Sequence, residues 1–285
     1  MTNRVRISVD CVCDLPRRMW DELELSIMFF YITTEEGRFR DIEEVNSENM
    51  VEYLEQGKRA HSRCASAEEY KQHFLNIRKE HDGPIIHICI ARYVSGSYDA
   101  ACEAAENMEN VWVVDSGHLS GGMSLMVINA AEMAKAGAGC ELILQELEDM
   151  RNRVCTSFVV DSTDCLYTNG KISGKIDNFC KTFSLHPVLK LKDSHMGAAG
   201  ICIGNMKRHA RSYIRKVLKH PETIDTDLAF LVHAGCSYEF MNFVREEMQK
   251  RVKWKRLIIC SASATVTCNC GAGTFGVLYT RKKVR

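Results

Sequence analysis

The first half of the chain alternates between short apolar runs and longer segments with helical spacing. The runs that predict strands are Val5–Asp10, Ile27–Thr33, Ile85–Ile90 and Val111–Asp115. The predicted helices are a short one from Pro16, Ser47–Gly57, a segment from Ser66 to about His81, Ser95–Met108 and Leu119–Ala136. Ser66 and Glu69 have the spacing of a capping box at a helix start. Strands separated by helices of this length pair in parallel through right-handed crossovers, so this half predicts a parallel-sheet α/β lobe.

From about Thr156 the pattern changes to strands interrupted by fewer helices. The predicted strands are Thr156–Val160, Val188–Leu191, Ile201–Ile203, Leu228–Val232, Leu257–Cys260 and Thr274–Thr280, with helices near 205–219 and 237–251. This pattern predicts a second lobe of mixed α/β structure. We expect one domain over residues 1–154 and another over residues 155–285.

Composition and charge narrow the class of protein. The chain has 285 residues, which exceeds the roughly 100–150 residues of a common single domain and agrees with two lobes. Its 37 basic residues balance 37 acidic ones, whereas a nucleic-acid-binding protein usually carries a basic excess. The first ten residues lack the apolar core of a signal peptide, and no apolar run approaches the roughly 20 residues that span a bilayer. We therefore expect a soluble cytoplasmic protein with no nucleic-acid partner and no stable membrane insertion.

Three strands of the first half run into loops with polar residues, and one of these loops is a candidate anion site. In open α/β sheets, ligands bind beyond the carboxyl ends of the strands, where helix N-termini present free N–H groups. The third strand runs into Ser95, Gly96 and Ser97 at a predicted helix start. The Ser95 hydroxyl and the next two amides could bind an anion there. The alternative is that Ser95 only caps the helix, because serine is a favoured N-cap residue.

These loops also carry a family resemblance, in the correct order along nearly the whole chain. The matching segments are Val9–Pro16, Ser62–Ser66, Glu69–Tyr70, Arg92–Tyr98, Val113–Ser116, Ser120–Gly122, Leu166–Ser173, His186–Leu189 and Asn269–Gly276. The chain resembles the DegV family in all of them. The resemblance implies two lobes with one fatty acid held between them. It also implies that the chain itself has no catalytic activity and no cofactor. The chain would instead present its fatty acid to a separate kinase subunit.

The resemblance also implies which residues bind the ligand, a fatty acid of about palmitate to stearate length. Ser62 and Ser95 would bind the carboxylate, together with the helix start at Gly96 and Ser97. A one-residue gap would place His61 rather than Ser62 at the first hydroxyl position. Asn269 stands where relatives have a carboxylate-binding histidine, so we expect Arg63 or Arg92 to supply the missing positive charge. Lys171 stands at a family arginine.

Two other functions stay open at this stage. Cys11, Cys13, Cys64, Cys268 and Cys270 would fall in loops around the cleft, where thiolates could bind zinc. The simpler explanation is that they are small buried side chains in a reducing compartment. An uncharacterised cleft enzyme could use His61, Asp10, Asp14 and Asp115 as general acids or bases. The spacing of these residues shows no arrangement of nucleophile, base and orienting group, so we expect a binding protein.

Overall fold

The computed structural model describes residues 4–170 and 172–283, so Lys171 lies outside the described residues. The strands are β1 (Arg6–Asp10), β2 (Ser26–Met28), β3 (Tyr31–Thr34), β4 (Gly37–Arg40), β5 (His61–Arg63), β6 (Ile85–Cys89), β7 (Val111–Asp115), β8 (Val154–Val159), β9 (Leu185–Lys192), β10 (His195–Ile203), β11 (Ile224–His233), β12 (Arg256–Ser261) and β13 (Phe275–Arg281). The α-helices are α1 (Arg18–Glu22), α2 (Ser47–Glu55), α3 (Ala67–Glu80), α4 (Ser97–Ala105), α5 (Ser120–Lys135), α6 (Cys140–Arg153), α7 (Asp164–Thr168), α8 (Gly174–Thr182), α9 (Met206–Val217), α10 (Tyr238–Gln249) and α11 (Ala264–Cys270).

The N-terminal lobe contains the expected parallel sheet, with strand order β2-β1-β6-β7. A second, three-stranded antiparallel sheet of order β4-β3-β5 was not predicted. The apolar run Ile27–Thr33, predicted as one strand, is divided between the two sheets. The break lies at Phe30, whose side chain is buried and whose backbone N–H donates to the Cys11 sulfur at 3.2 Å. This bond replaces a ladder hydrogen bond where the chain leaves the first sheet.

The C-terminal lobe is built on a six-stranded mixed sheet of order β10-β9-β8-β13-β11-β12. Its pairs are antiparallel except β11 with β12, which are parallel. The expected α/β fold class with a parallel and a mixed lobe is thus confirmed. Helix α6 ends at Arg153 and β8 begins at Val154. The exact domain division at residues 154 and 155 stays a prediction.

Helix α5 joins the lobes because it packs against β1 on one side and β8, β11 and β13 on the other. It is buried on most of its faces. Two glycines in its first turn allow this close approach. An added Cβ at Gly121 would lie 2.6 Å from the Phe230 Cβ, and one at Gly122 would lie 1.9 Å from the Thr156 hydroxyl oxygen. The core around α5 therefore includes side chains from both sheets.

Several predicted helix boundaries were wrong, and four helices were not predicted. The third predicted helix begins with Ser66 and Glu69 in the expected capping box. The Ser47 helix is capped instead by Asn46, and the helix expected to begin at Ser95 begins at Ser97 with Gly96 as its N-cap. The helices missed were α6, α7, α8 and α11. Among the described residues, no helix has the length and hydropathy needed to cross a membrane.

Candidate functional site

Ser62 and Asn269 meet where the lobes adjoin, although they are far apart in the sequence. Ser62 is the middle residue of β5, and Asn269 lies in the last turn of α11. The Asn269 side-chain amide donates to the Ser62 hydroxyl oxygen at 2.8 Å and to the Thr265 carbonyl at 2.8 Å. Both side chains are only partly buried. The structure therefore brings together two of the predicted site residues in a position that a ligand can reach.

Ser95, Gly96 and Ser97 lie beside the end of β5. The Ser95 hydroxyl accepts a bond from the Ser97 N–H at 3.3 Å, and it also interacts with the Cys64 thiol. A Cβ added at Gly96 would lie 3.9 Å from the Cys64 sulfur. Cys64 follows Ser62 by two residues, the spacing that puts side chains on the same side of an extended chain. The two predicted serines thus come from adjacent segments.

Ser97 has a buried hydroxyl group without a hydrogen-bond partner among the described residues. It is the first residue of α4, and no side chain caps this helix. The simpler interpretation, in which Ser95 is the N-cap, was therefore wrong. The Ser95 hydroxyl still accepts a hydrogen bond from the Ser97 amide. The helix start retains unsatisfied donors of the kind that bind anions.

Helix α11 is held by two carboxylates of the N-terminal lobe. Asp14 accepts the Ser263 N–H at 2.8 Å, and Asp41 accepts the N–H groups of Ala264 at 2.8 Å and Thr265 at 3.0 Å. Burial raises the pKa of Asp14 to about 7 and raises the pKa of Asp41 as well. These contacts position Asn269 against β5. Sequence reasoning missed the role of Asp41. Its partner helix begins 223 residues later, and no local pattern links the two.

An apolar cavity adjoins the same helix. Its lining includes Leu119 at the start of α5, Val232 of β11, Leu278 of β13, and Val266 and Cys270 of α11. Its volume is about 30 Å³. Ligand pockets usually measure roughly 300 Å³ or more, so a long acyl chain would have to displace lining side chains here.

His61, Arg63 and Arg92 each contact a polar partner other than Ser62, Ser95 or Asn269. His61 is exposed and its Nδ1 lies 3.3 Å from the Asn169 side-chain oxygen. Arg63 donates to both carboxylate oxygens of Glu69, and Arg92 pairs with Asp99 at 2.9 Å. Each arginine thus has a carboxylate partner, and the positive charge expected from one of them stays a prediction. Ser62, rather than His61, contacts Asn269.

Asp10 and Asp115, two of the carboxylates considered as general acids or bases, hold loops. Asp10 is fully buried and accepts bonds from the Tyr70 hydroxyl at 2.6 Å and the Ile90 N–H at 3.0 Å. Asp115 accepts the N–H groups of Arg92 and Gly117 at 3.1 and 2.8 Å. These bonds fix the segments that follow β6 and β7.

The five cysteines of the thiol hypothesis do not form a metal site. Among the described residues, two groups of three or more potential ligands are close enough to bind one ion, and neither contains any of these five cysteines. Cys268 and Cys270 lie in helix α11 rather than in a loop, so that prediction was wrong. Burial raises the pKa of Cys13 and Cys268 to about 12, which keeps both thiols protonated at neutral pH.

Comparison with known proteins identifies the family. The profile described as an uncharacterised protein of the DegV family matches residues 4–282. A DegV domain-containing protein of Caldanaerobacter subterraneus is 24% identical over 98% of this chain and 99% of its own. A protein of Thermotoga maritima named fatty acid-binding protein is 28% identical over 62% of this chain and 65% of its own.

The solved structures agree with the sequence relatives. A fatty-acid-binding DegV family protein from Thermus thermophilus superimposes with a TM-score of 0.85 at 25% identity, over 97% of this chain and 99% of its own. The match extends through both lobes and includes every predicted site residue. The chain belongs to the DegV family.

Proposed function

We propose that this protein binds one long-chain fatty acid and presents it to a separate acyl kinase without itself catalysing a reaction. The observation that carries the proposal is the hydrogen bond between Asn269 and Ser62, which places a polar site from both lobes next to an apolar cavity. The names of the Thermus and Thermotoga relatives, which describe fatty-acid binding, support the choice of ligand.

The hydroxyl groups of Ser62 and Ser95 suit a carboxylate because each already accepts a hydrogen bond. Ser62 accepts from Asn269 and Ser95 accepts from the Ser97 amide, so each can donate its own O–H proton, which in Ser95 would turn from the Cys64 sulfur to the ligand. A partly buried carboxylate needs such donors, since otherwise desolvation raises its pKa and neutralises it. The unpartnered Ser97 hydroxyl and the N-terminus of α4 can add to this stabilisation.

Helix α11 provides the connection between head group and tail. The Asn269 amide donates towards β5, while the nearby side chains of Val266 and Cys270 line the apolar cavity. A fatty acid with its carboxylate near Ser62 could therefore extend its chain along this helix. The lining residues would have to move apart to admit it.

The kinase step would take place at the carboxylate end. Ser62, Ser95 and Asn269 are partly exposed and Gly96 is exposed, so a bound carboxylate would remain within reach of another protein. Incubation of the purified chain with ATP and fatty acid should yield no acyl phosphate until a kinase subunit is added. Acyl phosphate made by the isolated chain would contradict the carrier role. We propose a cytoplasmic location, because a chain with 14 cysteines suits a reducing compartment.

The binding proposal is tested by mass spectrometry of extracted lipid and by titration with a fluorescent fatty acid. Removing one donor to a buried carboxylate costs about 1.5–3 kcal/mol, which is about tenfold to a hundredfold in affinity. Ser62→Ala and Ser95→Ala should each weaken binding to this extent. Arg92→Ala and Ser212→Ala, the second a matched control in α9, should bind like the parent. Parental affinity in both Ser62→Ala and Ser95→Ala would place the head group elsewhere.

A further inference from the structure

A group of metal-ligand side chains lies in the C-terminal lobe, away from the lobe junction. Asp161, His186 and His209 each place one ligand atom within 4.8 Å of the other two. Asp161 follows β8, His186 is in β9 and His209 is in α9. No sequence spacing marks this group, because the three residues come from separate elements. We call it the Asp161 cluster.

His209 is the feature of the cluster that most needs explaining. Its side chain is completely buried, and neither ring nitrogen makes a hydrogen bond of normal geometry among the described residues, although the ring interacts with the Gly204 backbone. The ring is held between His186, at a centroid distance of 4.3 Å, and Phe275, at 6.0 Å. Buried polar atoms without partners are rare in folded proteins, since each loses its bonds to water. A bond from one nitrogen to a metal ion would remove this cost.

His186 has the environment of a metal-binding histidine. Its Nδ1 lies 3.0 Å from the Asp161 carbonyl oxygen and 3.4 Å from the Asp161 carboxylate oxygen Oδ1. A proton on Nδ1 that is donated to this carbonyl leaves the lone pair on Nε2, and metal-binding histidines are commonly oriented by such a bond. The Asp161 side chain completes the set with a carboxylate oxygen and is 37% exposed, which gives an ion access from solvent.

Two imidazoles and one carboxylate favour a transition-metal ion over Mg²⁺ or Ca²⁺, which prefer oxygen ligands alone. Zn²⁺ sites with three protein ligands of these types keep a fourth position for water. A groove of about 640 Å³ that opens beside Asp161 and His186 leaves room for that water. We propose that Asp161, His186 and His209 bind one Zn²⁺ ion, which would tie the segment after β8 to β9 and α9.

The other group of potential ligands provides a contrast. Asp10, His87 and Cys89 are also close together, but all three are completely buried. His87 bonds to the Ser8 hydroxyl through Nδ1 at 2.8 Å and to Asp10 through Nε2 at 3.2 Å. Because both of its nitrogens have partners and the group has no access to solvent, it does not need a metal ion.

The proposal is tested on the full chain after removal of metals with a chelator. Zn²⁺ binding is measured by competition with a chromophoric chelator, and Co²⁺ is used as a visible spectroscopic probe. Asp161→Asn and His186→Gln are the main variants because both residues reach the surface, whereas His209→Gln alters a buried position. His220→Gln is the matched control, since His220 is exposed and bonds only locally.

We expect the parent and His220→Gln to bind one more equivalent of Zn²⁺ than Asp161→Asn and His186→Gln, or to bind it at least about tenfold more tightly. Background binding by cysteines should be equal in all four proteins, with the same thiolate bands in the Co²⁺ spectrum. Equal stoichiometry and affinity in the parent and both main variants would overturn the proposal. Equal loss in His220→Gln would overturn it as well.

Discussion

Replacing Asn269 with aspartate tests whether a carboxylate binds beside it. The change keeps the side chain's shape but introduces a negative charge at the atom that contacts Ser62 at 2.8 Å. A ligand carboxylate held by Ser62 would lie within about 4 Å of that charge. At an effective dielectric constant of about 20, two like charges at this separation repel by about 4 kcal/mol. Asn269→Asp should therefore weaken fatty-acid binding nearly a thousandfold.

The assay compares a fatty acid with a fatty alcohol of the same chain length, both by calorimetric titration at neutral pH. The alcohol has the same tail and no charge, so its affinity should change far less. Asn76→Asp is the matched control, because Asn76 is exposed on α3 and its side-chain oxygen already accepts bonds from Gln72 and Lys79. It should leave both affinities unchanged.

The variant's own stability must be measured separately. The Asn269 amide donates to Ser62 and to the Thr265 carbonyl, and losing both bonds should cost about 1–3 kcal/mol in the free energy of unfolding. Thermal denaturation of the ligand-free protein measures this part. If acid and alcohol lose affinity equally, Asn269 only supports the fold. If neither loses affinity, the carboxylate binds elsewhere and the site assignment is refuted.

Two further predictions concern stability. Burial raises the pKa of Asp14 to about 7, so the stability that the protonated Asp14 contributes is lost as the pH rises from about 4, its pKa in the unfolded chain, to about 7. Asp14→Asn should lack this loss, so the free energy of unfolding of the variant minus that of the parent should increase over that range. A constant difference would contradict the assignment. Gly122→Ala places a methyl group against Thr156 and should cost about 1–3 kcal/mol, whereas Gly197→Ala, which meets no atom within 4 Å, should not. Equal melting temperatures for these two variants would contradict the tight packing of α5.

The sequence alone was sufficient where the determining interactions are local. The Ser66 and Glu69 capping box and the strands Ile85–Cys89 and Val111–Asp115 depend on residues a few positions apart, and all were predicted closely. The ordered motifs likewise identified the family. They also implied a carboxylate site that includes Ser62 and Asn269, and these two residues are in contact. That a ligand binds there is still a prediction, which the serine and Asn269 variants test.

Tertiary structure decided the features that join distant parts of the chain. Helix α11 has the sequence ATVTCNC, rich in β-branched residues that disfavour helices, yet it is helical because Asp14 and Asp41 bind its first amides from the other lobe. The same applies to the Asp161 cluster, which exists only because β8, β9 and α9 pack together. Local patterns carry no information about such contacts, since the partner groups are supplied by elements that lie far away in the sequence.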